Sequence, residues 1–311
     1  MDSPKYLNYE TRPLKFTERK MLLASLTRVV NYFNNDYQYI GFGGITFTDF
    51  KLFHKELHID EMYSIEGGKF STEKLNFNAP FSFIKIHNKF STEALENISF
   101  EKKSLIWLDY DGTLDNYFFN DIRTVFSKLP EGSIYLITCN RELKQKNSGS
   151  EYTTQQFREV FGDIAPFKLK NKDFSAQENH NTIRKMLTSH IQSVLDDRNT
   201  TTNETLIFNQ LFNICYQENR GARMYTFGGV IIKSEFDTSK LNLSDFEFIS
   251  NDETTYKLAI PNFTRKEIDL VDSHLLTNEE VLLNKEIVTT AELEKYKKTY
   301  KYLPNFFDVR V

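Results

Sequence analysis

The stretch YQYIGFGGITFTDFKLFHKELHIDEMYSIE, residues 37–66, decides how the chain is read. An apolar run ends in Gly41-Phe42-Gly43-Gly44. A helix-like pattern then fills 46–57, and a second apolar run, 61–66, closes on Glu66. Strand, glycine turn, helix and strand make a βαβ unit, whose crossover leaves the two strands parallel. Glycines between the first strand and the helix let backbone approach a ligand closely, beside the unpaired N–H groups of the helix start. Glu66 follows Gly43 by roughly 20 residues, the separation at which a carboxylate after the second strand reaches the ribose in nucleotide-binding units. The plainer reading gives ordinary glycines at the end of a buried strand. The spacing to Glu66 and the order of the elements that follow weigh against it.

Outward from this unit, strand and helix signals keep alternating. Strands are expected at 81–87, 104–110 and 133–138, with helices in STEALENI and NYFFNDIRTVFSKL between them. Continuous apolar runs such as LIWL and IYLI suit strands buried on both faces. The expected fold is α/β: a mostly parallel sheet with crossover helices. Upstream, FTERKMLLASLTRVVNYF places Met21, Leu22, Leu26, Val29, Val30 and Phe33 on one helical face, with Thr17 as N-cap. Downstream, KQKNSGSEYTT reads as an exposed loop, and helices are expected at 176–197 and 203–218. Strands are expected at 223–233 and 254–260, with Gly228-Gly229 as a bulge or a close backbone approach. Two further helices fit TRKEIDLVDSHL and 289–300. The expected organisation is an N-terminal helical segment, 1–36, and a main domain, 37–260, with a helical insertion at about 145–220. A C-terminal helical extension, 261–311, follows.

Composition excludes some classes. A net charge of -4 supplies no global basic field for nucleic acid. Cys139 and Cys215, the only two cysteines, make neither a disulfide framework nor a metal-binding pair. The N-terminus lacks an apolar signal core, and no apolar run reaches membrane-spanning length, so a cytoplasmic protein is expected. With 28 phenylalanines and 16 tyrosines, the core should be rich in aromatic rings.

Residues 37–140 resemble the core of class I, Rossmann-like methyltransferases that use S-adenosylmethionine. The wider run, with TRPLKFTERKML upstream and IWLDYDGTLD downstream, resembles uncharacterised bacterial methyltransferase-like proteins. The resemblance implies that Gly41, Phe42, Gly43 and Gly44 hold the methionine part of the cofactor and that Glu66 holds the ribose. It implies that Asp109, Tyr110 and Asp111, after the fourth strand, face the substrate and the methyl group, with Asp109 or Asp111 as base. The methyl acceptor is not legible. The chain departs from the family in one respect. An acid usually opens the glycine motif, and Tyr39-Ile40 stand there instead. Asp49 is a candidate substitute. The departure also admits a catalytically inactive interaction protein on the same fold.

WLDYDGTLD, 107–115, matches a second pattern: the nucleophile loop of Mg²⁺-dependent haloacid dehalogenase-like phosphatases. There Asp109 would attack phosphorus, Asp111 would protonate the leaving group, and Thr138 would end the next strand. Asp196-Asp197 would be its late acidic pair, but SHIQSVL before them has helical rather than strand periodicity. That reading also leaves the glycine turn and Glu66 without a role, and it ranks second. Metal-dependent O-methyltransferases take Mg²⁺ from an acid at the position of Cys139, and a thiol is a poor ligand for a hard cation. No metal is therefore expected.

Smaller signals remain. Arg12, Lys15, Arg19 and Lys20 form a basic group that suits a phosphate or carboxylate clamp, although a solvated helix start is the more ordinary account. His54 and His58 have helical metal-binding spacing without a third ligand. His87 lies after the third strand, where the family contacts adenine. Tyr225 and Phe227 belong to an expected buried strand.

Overall fold

Five parallel strands form one side of an eight-stranded sheet, from its edge inward, and the chain order explains where a ligand can enter. The computed structural model describes residues 12–34, 36–218, 221–284 and 287–304. The ends of the expected N-terminal segment (1–11) and C-terminal extension (305–311) lie outside these. Strands β1 (Tyr37–Gly41), β2 (Glu61–Ile65), β3 (Ile84–His87), β4 (Lys103–Thr113) and β5 (Ile134–Asn140) are all parallel. With β6 (Leu206–Gln217), β7 (Arg223–Lys233) and β8 (Tyr256–Leu258) the sheet order is β3-β2-β1-β4-β5-β7-β6-β8. Only β7 runs against its neighbours. The fold is α/β and Rossmann-like. The chain winds outward from β1 through β2 to β3, then returns to the other side of β1 for β4 and β5. This reversal opens a crevice between the carboxyl ends of β1 and β4, where open α/β sheets take ligands.

Helices cover both faces. One face carries α1 (Pro13–Tyr32) and α2 (Thr48–Leu57), which bury Met21, Leu22, Leu26, Phe50 and Phe53 against Trp107 and Leu136. The other carries α4 (Ser91–Glu96), α5 (Asn116–Phe126) and α7 (Asn179–Asn199), which bury Leu95, Phe118, Ile122 and Leu187 against Ile106 and Ile137. Between these lie α3 (Thr72–Asn78), after β2, and α6 (Thr154–Phe161), before α7. The last helices, α8 (Arg265–His274), α9 (Glu279–Asn284) and α10 (Thr290–Thr299), enclose a small core of their own around Val271, Leu282, Leu293 and Tyr296.

Two local expectations fail for identifiable reasons. Residues 203–218 are not a helix. They form β6, so the segment expected as a helical insertion is helical only as far as Asn199. A bulge between Gln210 and Phe212 shifts the register of β6 on β7. Before it Leu206 and Phe208 face one core; after it Phe212, Ile214 and Tyr216 face the other. An inserted residue flips the two-residue alternation in mid-strand, and the broken pattern mimics a helical stripe. The bulge sits opposite Gly228 and Gly229, where added Cβ atoms would run into the backbone of Tyr135 and Asn209. Close approach is what the glycine pair serves.

Thr17 is not an N-cap. Helix α1 starts four residues earlier, at Pro13, whose fixed φ and missing N–H suit a first helical position. Thr17 instead donates to the Pro13 carbonyl at 2.8 Å. The cap comes from far along the chain: Glu218, just after β6, accepts from the N–H groups of Leu14 at 3.0 Å and Lys15 at 3.5 Å. A carboxylate is favourable at the positive end of a helix dipole.

Candidate functional site

The glycine turn builds one wall of the switch-point crevice. Gly41 is the last residue of β1, and a Cβ there would sit 2.9 Å from the Trp107 carbonyl. It serves strand packing and is not among the cavity-lining residues. Gly43 has a different role. A Cβ on it would press on Ser64 Oγ at 2.5 Å and on the Phe47 ring at 2.7 Å. Gly44 has φ +56 with open space where a side chain would be. That left-handed conformation favours glycine. The turn thus presents bare backbone to the cavity just before α2.

Glu66 closes the turn from the end of β2. Its Oε1 accepts from Gly43 N at 2.9 Å and from Ser64 Oγ at 2.6 Å. The residue is buried, and burial pushes its carboxyl up to about 7 against these stabilising bonds. The Gly44 backbone adds a further stabilising hydrogen bond.

Asp109, Tyr110 and Asp111 come from the end of β4, across the switch point. Asp109 pairs with Lys15 and stands 3.9 Å from Arg19. Arg19 in turn holds Asp49 with both Nε and Nη2, the latter at 3.0 Å. Lys15 and Arg19 are 2% and 5% exposed, so the solvated-helix-start account fails for them. One turn of α1 drives both cations under the sheet edge, where their partners are the crevice carboxylates. Asp111 is more open and lies 3.5 Å from Lys69.

A second buried carboxylate braces the far side. Asp121 on α5 accepts from Ser91, from Thr92 at 2.7 Å and from Tyr110 Oη at 2.6 Å. This ties the start of α4 to the end of β4. The Tyr110 ring stacks on Phe118 with centroids 3.8 Å apart and meets Phe42 edge-on. Burial raises the Asp121 carboxyl, against the three hydroxyl bonds. Behind Asp109 lies a third, Glu18, fully buried and pushed up to about 7 by burial. Trp107 Nε1 donates to Thr138 at 2.9 Å, Thr138 lies 2.8 Å from Thr226, and Thr226 donates to Glu18.

The glycine turn, Glu66 and the end of β4 wall a cavity of about 500 Å³. Of the residues singled out in the sequence, Phe42, Gly43, Gly44, Glu66, Asp109, Tyr110 and Asp111 line it, as does Asp49. Lys69, Phe70, Phe90, Ser91, Thr92 and Tyr117 line it too and carry no sequence signal of their own. Arg19 did carry one, its place in the basic group. His87, Tyr225 and Phe227 do not line it. His54 lies in α2, packed on Phe81 and Phe83 with Asp60 at 2.9 Å, while His58 is past the helix end with φ 55. The features the phosphatase pattern needs are dispersed. Thr138 is buried within the Trp107–Thr226 chain, and Asp196-Asp197 lie on α7. Among the described residues no helix is long and apolar enough to cross a membrane.

A family of proteins described as "Putative O-methyltransferase" matches residues 7–311. The chain belongs to that family. It is a class I, Rossmann-like methyltransferase-like protein, as its motifs and sheet order indicate. No curated protein matches it. Among solved structures it is similar to Trm1 from Pyrococcus horikoshii in complex with S-adenosyl-L-methionine. Identity there is 9% over 74% of this chain and 57% of that one, with a TM-score of 0.45. It is also similar to spermidine synthase from Thermotoga maritima, at 12% identity over 82% and 75% with a TM-score of 0.38. A third is an O-methyltransferase family protein from Burkholderia thailandensis, at 12% over 71% and 60% with a TM-score of 0.33. The chain spans little more than half the length of Trm1.

Proposed function

We propose that the protein is an S-adenosylmethionine-dependent methyltransferase acting on a hydroxyl acceptor. The observation that carries this is the convergence of the Gly43-Gly44 backbone and the Glu66 carboxylate on one cavity at the switch point. The residues fit the cofactor by their own chemistry. A bare-backbone turn before α2 suits the methionine part. A buried carboxylate in the cavity wall suits the two ribose hydroxyls. The rings of Phe42, Tyr110 and Tyr117 offer apolar surface to the remainder.

The bound cofactor supplies an electrophilic methyl group on a sulfonium. What the chain supplies is alignment and a proton acceptor. With such a donor held by Gly43, Gly44 and Glu66, Asp109 or Asp111 would take the proton that a hydroxyl acceptor gives up. Lys15 and Arg19 fix the Asp109 carboxylate, so its orientation is set before the acceptor arrives. Asp121 fixes Tyr110 and the start of α4 in the same way.

The test is calorimetry with S-adenosylhomocysteine. Binding in the micromolar range by the wild type, weakened strongly in Glu66→Ala, is the expected result. No binding at millimolar ligand overturns the reading.

A further inference from the structure

One carboxylate close to the site has no part in the mechanism above. Glu18 stands on α1, three residues after Lys15, fully buried and not among the residues that line the cavity. Its surroundings come from four elements. From β7, Thr226 donates to it, and Thr138 on β5 and Trp107 on β4 continue that hydrogen-bonded chain. From β6, the Tyr216 hydroxyl favours its ionised form. On its own helix Lys15 attracts it, and from β4 Asp109 repels it. Lys15 is already committed to Asp109 at the cavity wall. Two carboxylates thus share the influence of one ammonium, and Asp109 holds it directly. In a dry interior the ionised form of Glu18 is penalised until a further positive charge comes near. Burial, the largest influence, pushes its carboxyl up to about 7.

We propose that Glu18 is a positioning residue that tells a cationic methyl donor from its neutral product: a sulfonium brought up to Asp109 draws the proton off Glu18 into solvent, and the new carboxylate charge holds the donor. The inference rests on the methyltransferase reading above. Glu18 touches neither ligand and acts through Asp109 and Lys15 by charge alone. Donor and product share their amino, carboxylate and adenosine groups and differ by one methyl and one positive charge, so the ratio of their affinities isolates the charge. Where Glu18 starts protonated, donor binding must expel that proton. The donor's advantage is therefore least well below pH 7 and grows as pH rises through 7. Glu66 is also pushed up to about 7 and lines the cavity, but it faces the part the two ligands have in common.

The test is calorimetry of the full chain with S-adenosylmethionine and S-adenosylhomocysteine at pH 6, 7 and 8, without acceptor. The affinity ratio is expected to turn toward the donor by about threefold to tenfold across this range. In Glu18→Gln it should stay level. Thr226→Val removes a bond that favours ionised Glu18, so the turn should move to higher pH. At pH 7, titrations in buffers of different ionisation heat should show more proton released with the donor than with the product, in the wild type and not in Glu18→Gln. A level ratio in the wild type, or a slope that survives in Glu18→Gln, overturns the role of Glu18 and leaves the methyltransferase reading standing on the binding itself. Binding of neither ligand by the wild type overturns both. Should Glu18→Gln bind neither ligand, Thr226→Val decides: an unmoved turn, or one at lower pH, overturns the proposal.

Discussion

Replacing Glu66 by glutamine should stabilise the ligand-free protein and impair it at once. Burial moves the carboxyl from 4.5 to about 7. The folded state therefore holds a proton between these limits that the unfolded state has lost. For a group raised in this way, folding is favoured at low pH and the advantage disappears as pH climbs through the window. The displacement corresponds to about 3 kcal/mol at pH 8.5, where Glu66 is charged in both states. The bonds from Gly43 and Ser64 to Glu66 end on Oε1, and a glutamine carbonyl oxygen in the same place keeps them. Removing the buried charge should thus raise stability by up to about 3 kcal/mol at pH 8.5 and by close to nothing at pH 4.5. For a chain of this length the gain is about 5 °C in melting temperature. Cofactor binding should move the opposite way. Two charge-assisted hydrogen bonds to ribose become neutral ones, a loss of about 1.5–3 kcal/mol, or roughly tenfold to a hundredfold in Kd. Paired thermal scans at the two pH values, with S-adenosylhomocysteine calorimetry, read both. A variant that is less stable at pH 8.5, or equally stabilised at both values, refutes the account of the buried charge. A variant that binds as tightly as wild type refutes the ribose contact.

Three other perturbations follow from the same site. Gly44→Ala should cost about 1–2 kcal/mol in urea unfolding, because the alanine must hold φ +56 even though its methyl meets nothing. Lys15→Met leaves Asp109 without its main buried partner and should cost about 3–5 kcal/mol, most of it recovered in Lys15→Met/Asp109→Asn; equal losses in single and double variants would deny the pairing. Asp121→Ala strands the hydroxyls of Ser91, Thr92 and Tyr110 and should lower stability by about 2–4 kcal/mol, read by denaturation. Hydrolysis of an aryl phosphate that needs Mg²⁺ and vanishes in Asp109→Asn would revive the phosphatase pattern, and none is expected.

How far the sequence discloses this molecule depends on the range over which each signal acts. Strands β1, β2, β4 and β5 are legible because burial on both faces leaves continuous apolar runs, a local signature. The turn at Gly43-Gly44 and its distance to Glu66 are legible because a βαβ unit fixes that spacing within one supersecondary element. Strand β6 is not, since its bulge is dictated by the partner glycines on β7, and the flipped alternation erases the period that would identify it. The cation pair on α1 marks the limit most clearly. Lys15 and Arg19 are one helical turn apart, as solvated surface charges often are, and nothing nearby in sequence marks them as buried. Their carboxylates stand on α2 and β4, and the helix is fixed by Glu218, some two hundred residues away in the chain. Ser91, Thr92 and Asp121 likewise become a site only when α4 and α5 meet over β4. The cofactor-facing half of the crevice is built from neighbours in the chain and can be read from it. The half that orients Asp109 is assembled by tertiary packing, and α1 therefore belongs to the site as much as the strands do.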